Sequence, residues 1–180
     1  MKQEFIITIY SENHIGLLNR ITINFTKRKM NIESLTVSES AIRGISKFTI
    51  VVNEEEDRVK KVVGQLEKVV EVLKAFYHTN DEMVFQEIAL YKVQTDTLYD
   101  SDQVERLVRK AGARILEITR EYTVIEKTGH KEETQELFEA LNQFGVLQFI
   151  RSGRVAITRD PIERLSEFLM ERDNLLSQVD

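Results

Sequence analysis

The residues best suited to grip a small ligand lie in Asn13-His14-Ile15-Gly16-Leu17-Leu18-Asn19-Arg20. This segment joins a short β-rich run to an apolar run of helical spacing, so it opens a helix. A helix N-terminus presents unpaired backbone N–H groups and a partial positive charge, which suits a carboxylate. Gly16 has no Cβ, so a ligand or a neighbouring backbone can come close and a positive φ is cheap. The Asn13 amide carries both donors and an acceptor. An amino acid brings one anion and one cation, and both need partners once water is excluded. Backbone N–H groups can take the carboxylate, and the Asn13 side-chain oxygen can accept from the ammonium. Read locally, Asn13 and Gly16 are also ordinary turn residues, and His14 beside them is more simply an exposed loop residue than a pH modulator of binding.

A second element changes that balance. Asn31-Ile32-Glu33-Ser34-Leu35-Thr36-Val37 begins the second strand, just after the first helix. In a side-by-side dimer this edge lies near the other protomer's first loop, and Asn31 then faces a pocket at the interface.

The elements that must position these residues follow from hydrophobic spacing. Phe5 to Tyr10 is a strand; Leu17, Leu18, Ile21 and Phe25 mark a helix ending near Lys27-Arg28-Lys29. Ile32 to Val37 and Phe48 to Val52 are strands separated by a break at Arg43-Gly44. Asn53 with Glu56 forms a capping-box-like start for a helix with Val59, Val62, Val63 and Leu66 on one stripe, and Val69 to Leu73 closes the unit as a strand. The second half repeats this order. Val84 to Val93 is a strand with Ile88, Leu90 and Val93 apolar; Asp100 and Gln103 cap a helix that Gly112 stops. Ala113 to Ile118 and Tyr122 to Glu126 are strands; Leu137, Phe138 and Leu141 mark a helix ended by Gly145; Val146 to Ile150 returns as a strand, with Arg154 to Thr158 extending the sheet. Asp160-Pro161 with Glu163 starts a last helix whose apolar face is Ile162, Leu165 and Leu169.

Two successive βαββαβ units predict an α+β protein of two tandem ferredoxin-like sandwiches, each with both helices on one sheet face and the other face open. Their second and fourth strands are sheet edges, which need cover or a partner; a two-fold dimer supplies one. The predicted domains are 1–80, 81–160 and a C-terminal helix or extension at 161–180. The charge supports a boundary near residue 80, with net +2 before it and −7 after it.

Composition excludes several functions. With 180 residues, 42% hydrophobic and 31% charged, the chain can build a packed core. A net charge of −5 argues against general nucleic-acid binding. Without cysteine there is no disulfide framework, thiolate metal site or cysteine nucleophile, which is compatible with a reducing cytoplasm. The N-terminal apolar run is too short for a membrane span and has no cleavage site of a signal peptide. No Gly-rich phosphate loop, zinc-binding helix or nucleophile elbow is present. Glu54-Glu55-Glu56-Asp57 is a charged helix start, not a metal site.

Glu12-Asn13-x-x-Gly16-x-Leu18-x-Arg20 followed by Asn31-Ile32-Glu33-Ser34-Leu35-Thr36-Val37 resembles the regulatory (small) subunit of acetolactate synthase, also called acetohydroxyacid synthase. The first half resembles its ACT domain, an amino-acid-sensing βαββαβ module, and Arg151-Ser152-Gly153 is similar as well. The resemblance implies a cytoplasmic, non-catalytic subunit, homodimeric through its ACT domains. It implies activation of a separate catalytic (large) subunit and feedback inhibition by valine, with leucine and isoleucine as alternatives. Thiamine diphosphate, Mg²⁺ and FAD would belong to that partner and no cofactor to this chain; neither nucleic acid nor membrane is implied. Carried over by motif, Asn13, His14, Ile15, Gly16 and the backbone of Leu17 and Leu18 meet one end of the effector, and Asn31 and Ile32 of the other chain complete the site. Lys29 departs from the family, which usually has Gly there, and the 161–180 helix extends past many members. The alternative function is a free-standing ACT-type sensor controlling another enzyme or a transcription factor.

Overall fold

Branched and aromatic residues dominate β1 (Gln3–Glu12), and burial on both faces makes it the centre of its sheet. The computed structural model describes residues 1–96, 102–162 and 165–170. They divide into two compact units: residues up to Val84 together with those from Ala156 onward, and Phe85–Val155. In the first unit, β1 pairs antiparallel with β3 (Ile45–Glu54) and β4 (Val72–Thr79), and β2 (Ser34–Glu39) pairs with β3. The order β2-β3-β1-β4 leaves the second and fourth strands as edges, as expected. Phe5, Ile7 and Ile9 of β1 and Phe48, Ile50 and Val52 of β3 form one layer of the core. Leu17, Ile21 and Phe25 of α1 (Leu17–Thr26) and Val59, Val62 and Leu66 of α2 (Glu56–Leu66) form the other.

Four local expectations for this unit are corrected. Asn53 does not cap α2; it stays in β3 opposite Glu4, because strand pairing runs on to Gln3 and Glu54. Glu55 precedes the helix instead, and the buried Glu54 carboxylate takes Lys2 at 3.1 Å, the Glu55 N–H at 3.3 Å and Arg58. Burial raises the Glu54 pKa, but these donors outweigh it and hold the group below the usual carboxylate range. The last strand is not Val69–Leu73. Val69 to Glu71 turn, and β4 begins at Val72 so that it can pair with β1 from Ser11 back to Phe5. The second strand begins at Ser34, so Asn31 and Ile32 precede it. Finally, the second face of this sheet is not open. Lys47 Nζ donates to Ala156 O at 2.7 Å, and Leu165, only 1% exposed, lines a 40 Å³ cavity with Thr8, Tyr10, Phe76 and His78. That face carries the fully buried Ile6 and Val51, too apolar to leave in water.

The turn after α1 is retained in spite of Lys29. Met30 N–H closes back on Phe25 O at 3.0 Å, and Lys29 takes φ 51°, a conformation that suits glycine.

In the second unit β5 (Met83–Gln94) is central, and β6 (Arg114–Ile118), β7 (Tyr122–Gly129) and β8 (Val146–Arg151) complete the order β6-β7-β5-β8; β9 (Val155–Thr158), which begins at the last residue of this unit, also pairs with β5. Ala89, Tyr91 and Val93 face α3 (Asp102–Lys110) and α4 (Lys131–Asn142) through Val104, Val108, Leu137 and Leu141. Ile88 and Leu90 alternate to the opposite face. Gly112 and Gly145 end the two helices at φ 62° and 83°. The Tyr91 hydroxyl donates to Thr134 O at 2.6 Å, and burial pushes its pKa up to about 12. Asp100 and Glu163 lie outside the described residues. Asp160-Pro161 does not open a helix directly: Asp160 Oδ1 accepts the Ile162 N–H at 3.0 Å in a bend, and residues 165–170 are helical.

A charge is buried at the start of β5. Glu87 alternates inward with Phe85 and Ala89 and meets Arg154 Nε at 3.2 Å and Arg151 Nε at 3.6 Å. Ser152 between them exchanges bonds with Ile88, donating its N–H at 2.8 Å and accepting at 2.9 Å. Arg151-Ser152-Gly153 is thus a clamp on β5.

Two stability measurements follow. Lys29→Gly removes the left-handed strain and raises unfolding free energy by up to about 1 kcal/mol in denaturant titrations. Glu87→Ala strands two largely buried guanidinium groups and costs about 3–5 kcal/mol.

Candidate functional site

The loop between β1 and α1 is built by three backbone ties. Glu12 N–H donates to Glu71 O at 2.9 Å, Asn13 N–H to Gly44 O at 3.1 Å, and Leu17 N–H to His14 O at 3.2 Å. Together they hold the chain in the tight bend that starts α1. Gly16 is the N-cap at φ 82°, where L residues are strained, and a Cβ built on it would meet nothing within 4 Å. Space in front of the helix is therefore open. Gly16 has no side chain to cap the helix, and the first turn, Leu17-Leu18-Asn19-Arg20, contains no acid. The positive end of the helix is left for an outside anion to meet.

Around this point Asn13, His14, Ile15, Gly16 and Leu18 are exposed. Leu17 is buried in the core, so only its backbone can face a ligand. His14 lies at the surface with Nε2 3.2 Å from Glu12 Oε2. Asn31 is exposed and donates from Nδ2 to Glu33 Oε1 at 2.8 Å, while Ile32 packs partly against the core. Within one chain these two sets do not form one pocket. They stand at opposite ends of the ten-residue α1, about 15 Å apart along its axis.

Sequence reasoning missed Glu71. Placed in a strand by the apolar run around it, it instead sits in the turn before β4 and braces the loop twice. Its carbonyl takes Glu12, and its carboxylate takes Arg20 Nη1 at 2.5 Å. The Arg20 hydrogen bond holds the Glu71 carboxyl below its ordinary range. The legible signal was Arg20 itself, a cation in the first turn of a helix, where the macrodipole disfavours it unless an acid is near.

Two antiparallel βαββαβ units, the first with a glycine-opened helix, define a tandem of ferredoxin-like, ACT-type domains. Residues 7–74 match the family described as "AHAS small subunit-like ACT domain", and residues 86–160 match "Small subunit of acetolactate synthase". The chain belongs to the acetolactate synthase small-subunit family. It is 35% identical over 162 residues to the acetolactate synthase small subunit of Bacillus subtilis, covering 89% of this chain and 94% of that one. The Aquifex aeolicus acetolactate synthase small subunit is 32% identical over 158 residues, covering 88% of this chain and 82% of that one. The crystal structure of the acetolactate synthase small subunit from Thermotoga maritima superposes with a TM-score of 0.80 at 29% identity, covering 89% of this chain and 99% of that one. A small subunit of this kind is regulatory and implies a catalytic large subunit as partner. Among the described residues no helix is long and apolar enough to cross a membrane.

The Arg20–Glu71 brace has a pH signature. A carboxyl with a lowered folded pKa adds stability above its unfolded value, near 4.5, that is lost as pH falls through the folded pKa. Arg20→Leu is therefore expected to flatten the acid limb: the wild-type chain loses more stability than the variant between about pH 5 and about pH 3. Thermal melts across that range check it.

Proposed function

We propose that this chain controls the activity of an acetolactate synthase catalytic subunit by holding a branched-chain amino acid, valine first, between the ACT-type units of two copies. The observation that carries this reading is the split site: an uncapped helix start with open space over Gly16 at one end of α1, and Asn31 at the other. A dimer that sets the β2 edges side by side brings one chain's loop toward the other's Asn31. Exposed Ile15, Leu18, Ile23 and Val37 on this loop, on α1 and on β2 support a protein partner there.

In this reading the backbone N–H groups that follow Leu17, whose own N–H is tied to His14 O, bind the carboxylate, Asn13 accepts from the ammonium, and the second chain's Asn31 and Ile32 close over the aliphatic group. Thiamine diphosphate, Mg²⁺ and FAD belong to the catalytic subunit in the cytoplasm; this chain carries none of them and performs no turnover itself. Control requires valine to bind the activating and inhibiting arrangements with different affinity; a coupling of about 1–3 kcal/mol gives several-fold feedback.

Calorimetry with valine tests the site. Wild type is expected to release heat at millimolar valine and Gly16→Asp none, because a fixed carboxylate occupies the ligand's anion position. Gly16→Ala carries the same backbone strain without the charge and separates the two effects. Retained binding by Gly16→Asp places the ligand elsewhere. Mixing with purified catalytic subunit tests the role: stimulated pyruvate condensation, curbed by valine, supports it. Unchanged activity favours a sensor acting on another target.

A further inference from the structure

Apolar burial holds α1 to its unit: Leu17, Ile21 and Phe25 sink into the core. Such contacts are non-directional, so they set how close the helix lies but not how its N–H groups are aimed. Leu17 N–H goes to His14 O and Arg20 N–H to Gly16 O, which leaves the N–H groups of Leu18 and Asn19 to meet an anion. Aim comes from hydrogen bonds that leave the helix, and α1 has few. Its Thr22, Asn24 and Thr26 side chains donate to its own carbonyl groups. Among the described residues one side-chain hydrogen bond ties α1 to the rest of the unit, from Arg20 Nη1 to Glu71 at 2.5 Å.

Glu71 is itself held firmly. It closes the turn between α2 and β4, where Val69 N–H donates to Leu66 O at 3.0 Å and Val72 N–H to Val69 O at 2.9 Å, and Val69 packs against the core. Its carbonyl takes the Glu12 N–H, just past the register shift between Tyr10 and Ser11. One residue therefore fixes the strand before the Asn13–Gly16 loop through its backbone and the helix after that loop through its side chain. We propose that Glu71 is the positioning residue of the effector site: through Arg20 it aims the Leu18 and Asn19 N–H groups, and through its turn it carries occupancy of the site to the start of β4. This rests on the reading that the effector lies over Gly16. A hydrogen bond weakens steeply as its angle departs from linear, so a small rotation of α1 costs binding without removing any donor. A ligand that fixes the loop in turn fixes both groups bound to Glu71. The turn lies outside the residues assigned to the ligand, so any response there is coupling and not contact.

The test uses the full chain and L-valine. Glu71→Gln keeps the size of the side chain and the backbone tie but removes the charge that holds Arg20. Arg20→Leu breaks the same contact from its more exposed side. Each is expected to weaken valine binding about tenfold in calorimetry, and the double variant little further, because both remove one contact. Hydrogen exchange at saturating valine gives a readout that a loosened fold alone does not move. In wild type, valine is expected to slow exchange at the Glu12, Val69 and Val72 N–H groups; in Glu71→Gln the slowing at Val69 and Val72 is lost. Wild-type affinity in both single variants overturns the proposal and leaves the effector site standing. So does a turn whose exchange valine leaves unchanged in wild type, or slows equally in Glu71→Gln. Absence of heat from the wild-type chain removes the effector site itself, and this proposal with it.

Discussion

The constraint on which this molecule depends is the unpaired edge of a small antiparallel sheet. Both units order their first four strands 2-3-1-4, with the second and fourth outermost, and the second sheet adds β9 alongside β5. The backbone groups along those edges need hydrogen-bond partners that the unit cannot supply. A fold with that deficit is suited to binding between copies, because the seam that completes the sheet also creates a cleft. A regulator of this kind needs no deep pocket of its own; it needs an edge and, near it, groups that recognise a ligand.

In the proposed site of the first unit those groups would come from backbone geometry more than from side chains. The helix start is held by ties to Gly44 and Glu71, and Gly16 keeps the approach clear. Arg20 and Glu71 stiffen the same bend from outside. Recognition of a carboxylate by N–H groups depends on their direction, so a rigid loop matters more than any single donor. The second unit has the same strand order but a different edge. β2 is Ser34-Leu35-Thr36-Val37-Ser38-Glu39, whereas β6 is Arg114-Ile115-Leu116-Glu117-Ile118.

Two departures from simple patterning show how local preference yields to pairing. Asn53 and Glu54 have the chemistry of a helix start, but β1 opposite them is long enough to keep them extended, and the helix waits until Glu56. Lys29 has the wrong shape for a left-handed turn, yet the Met30–Phe25 bond and the burial of Met30 over the core hold it there. In each case hydrogen bonds and apolar burial made elsewhere exceed a local preference of about 1 kcal/mol.

The amino-acid order by itself determined the βαββαβ repeat, the helix stripes, the turn glycines at 16, 44, 112 and 145, and the glycine-opened start of the first helix. These are properties of neighbours in the chain, where periodicity and backbone freedom act over a few residues. Only the tertiary structure decided where strands stop, that Ala156 and Leu165 lie against the first sheet's second face, and that Glu87 and Arg154 meet in the interior. It also decided that Asn13 and Asn31 stand at opposite ends of one helix. Each depends on contacts between residues far apart in sequence, and no local pattern encodes the distance between them.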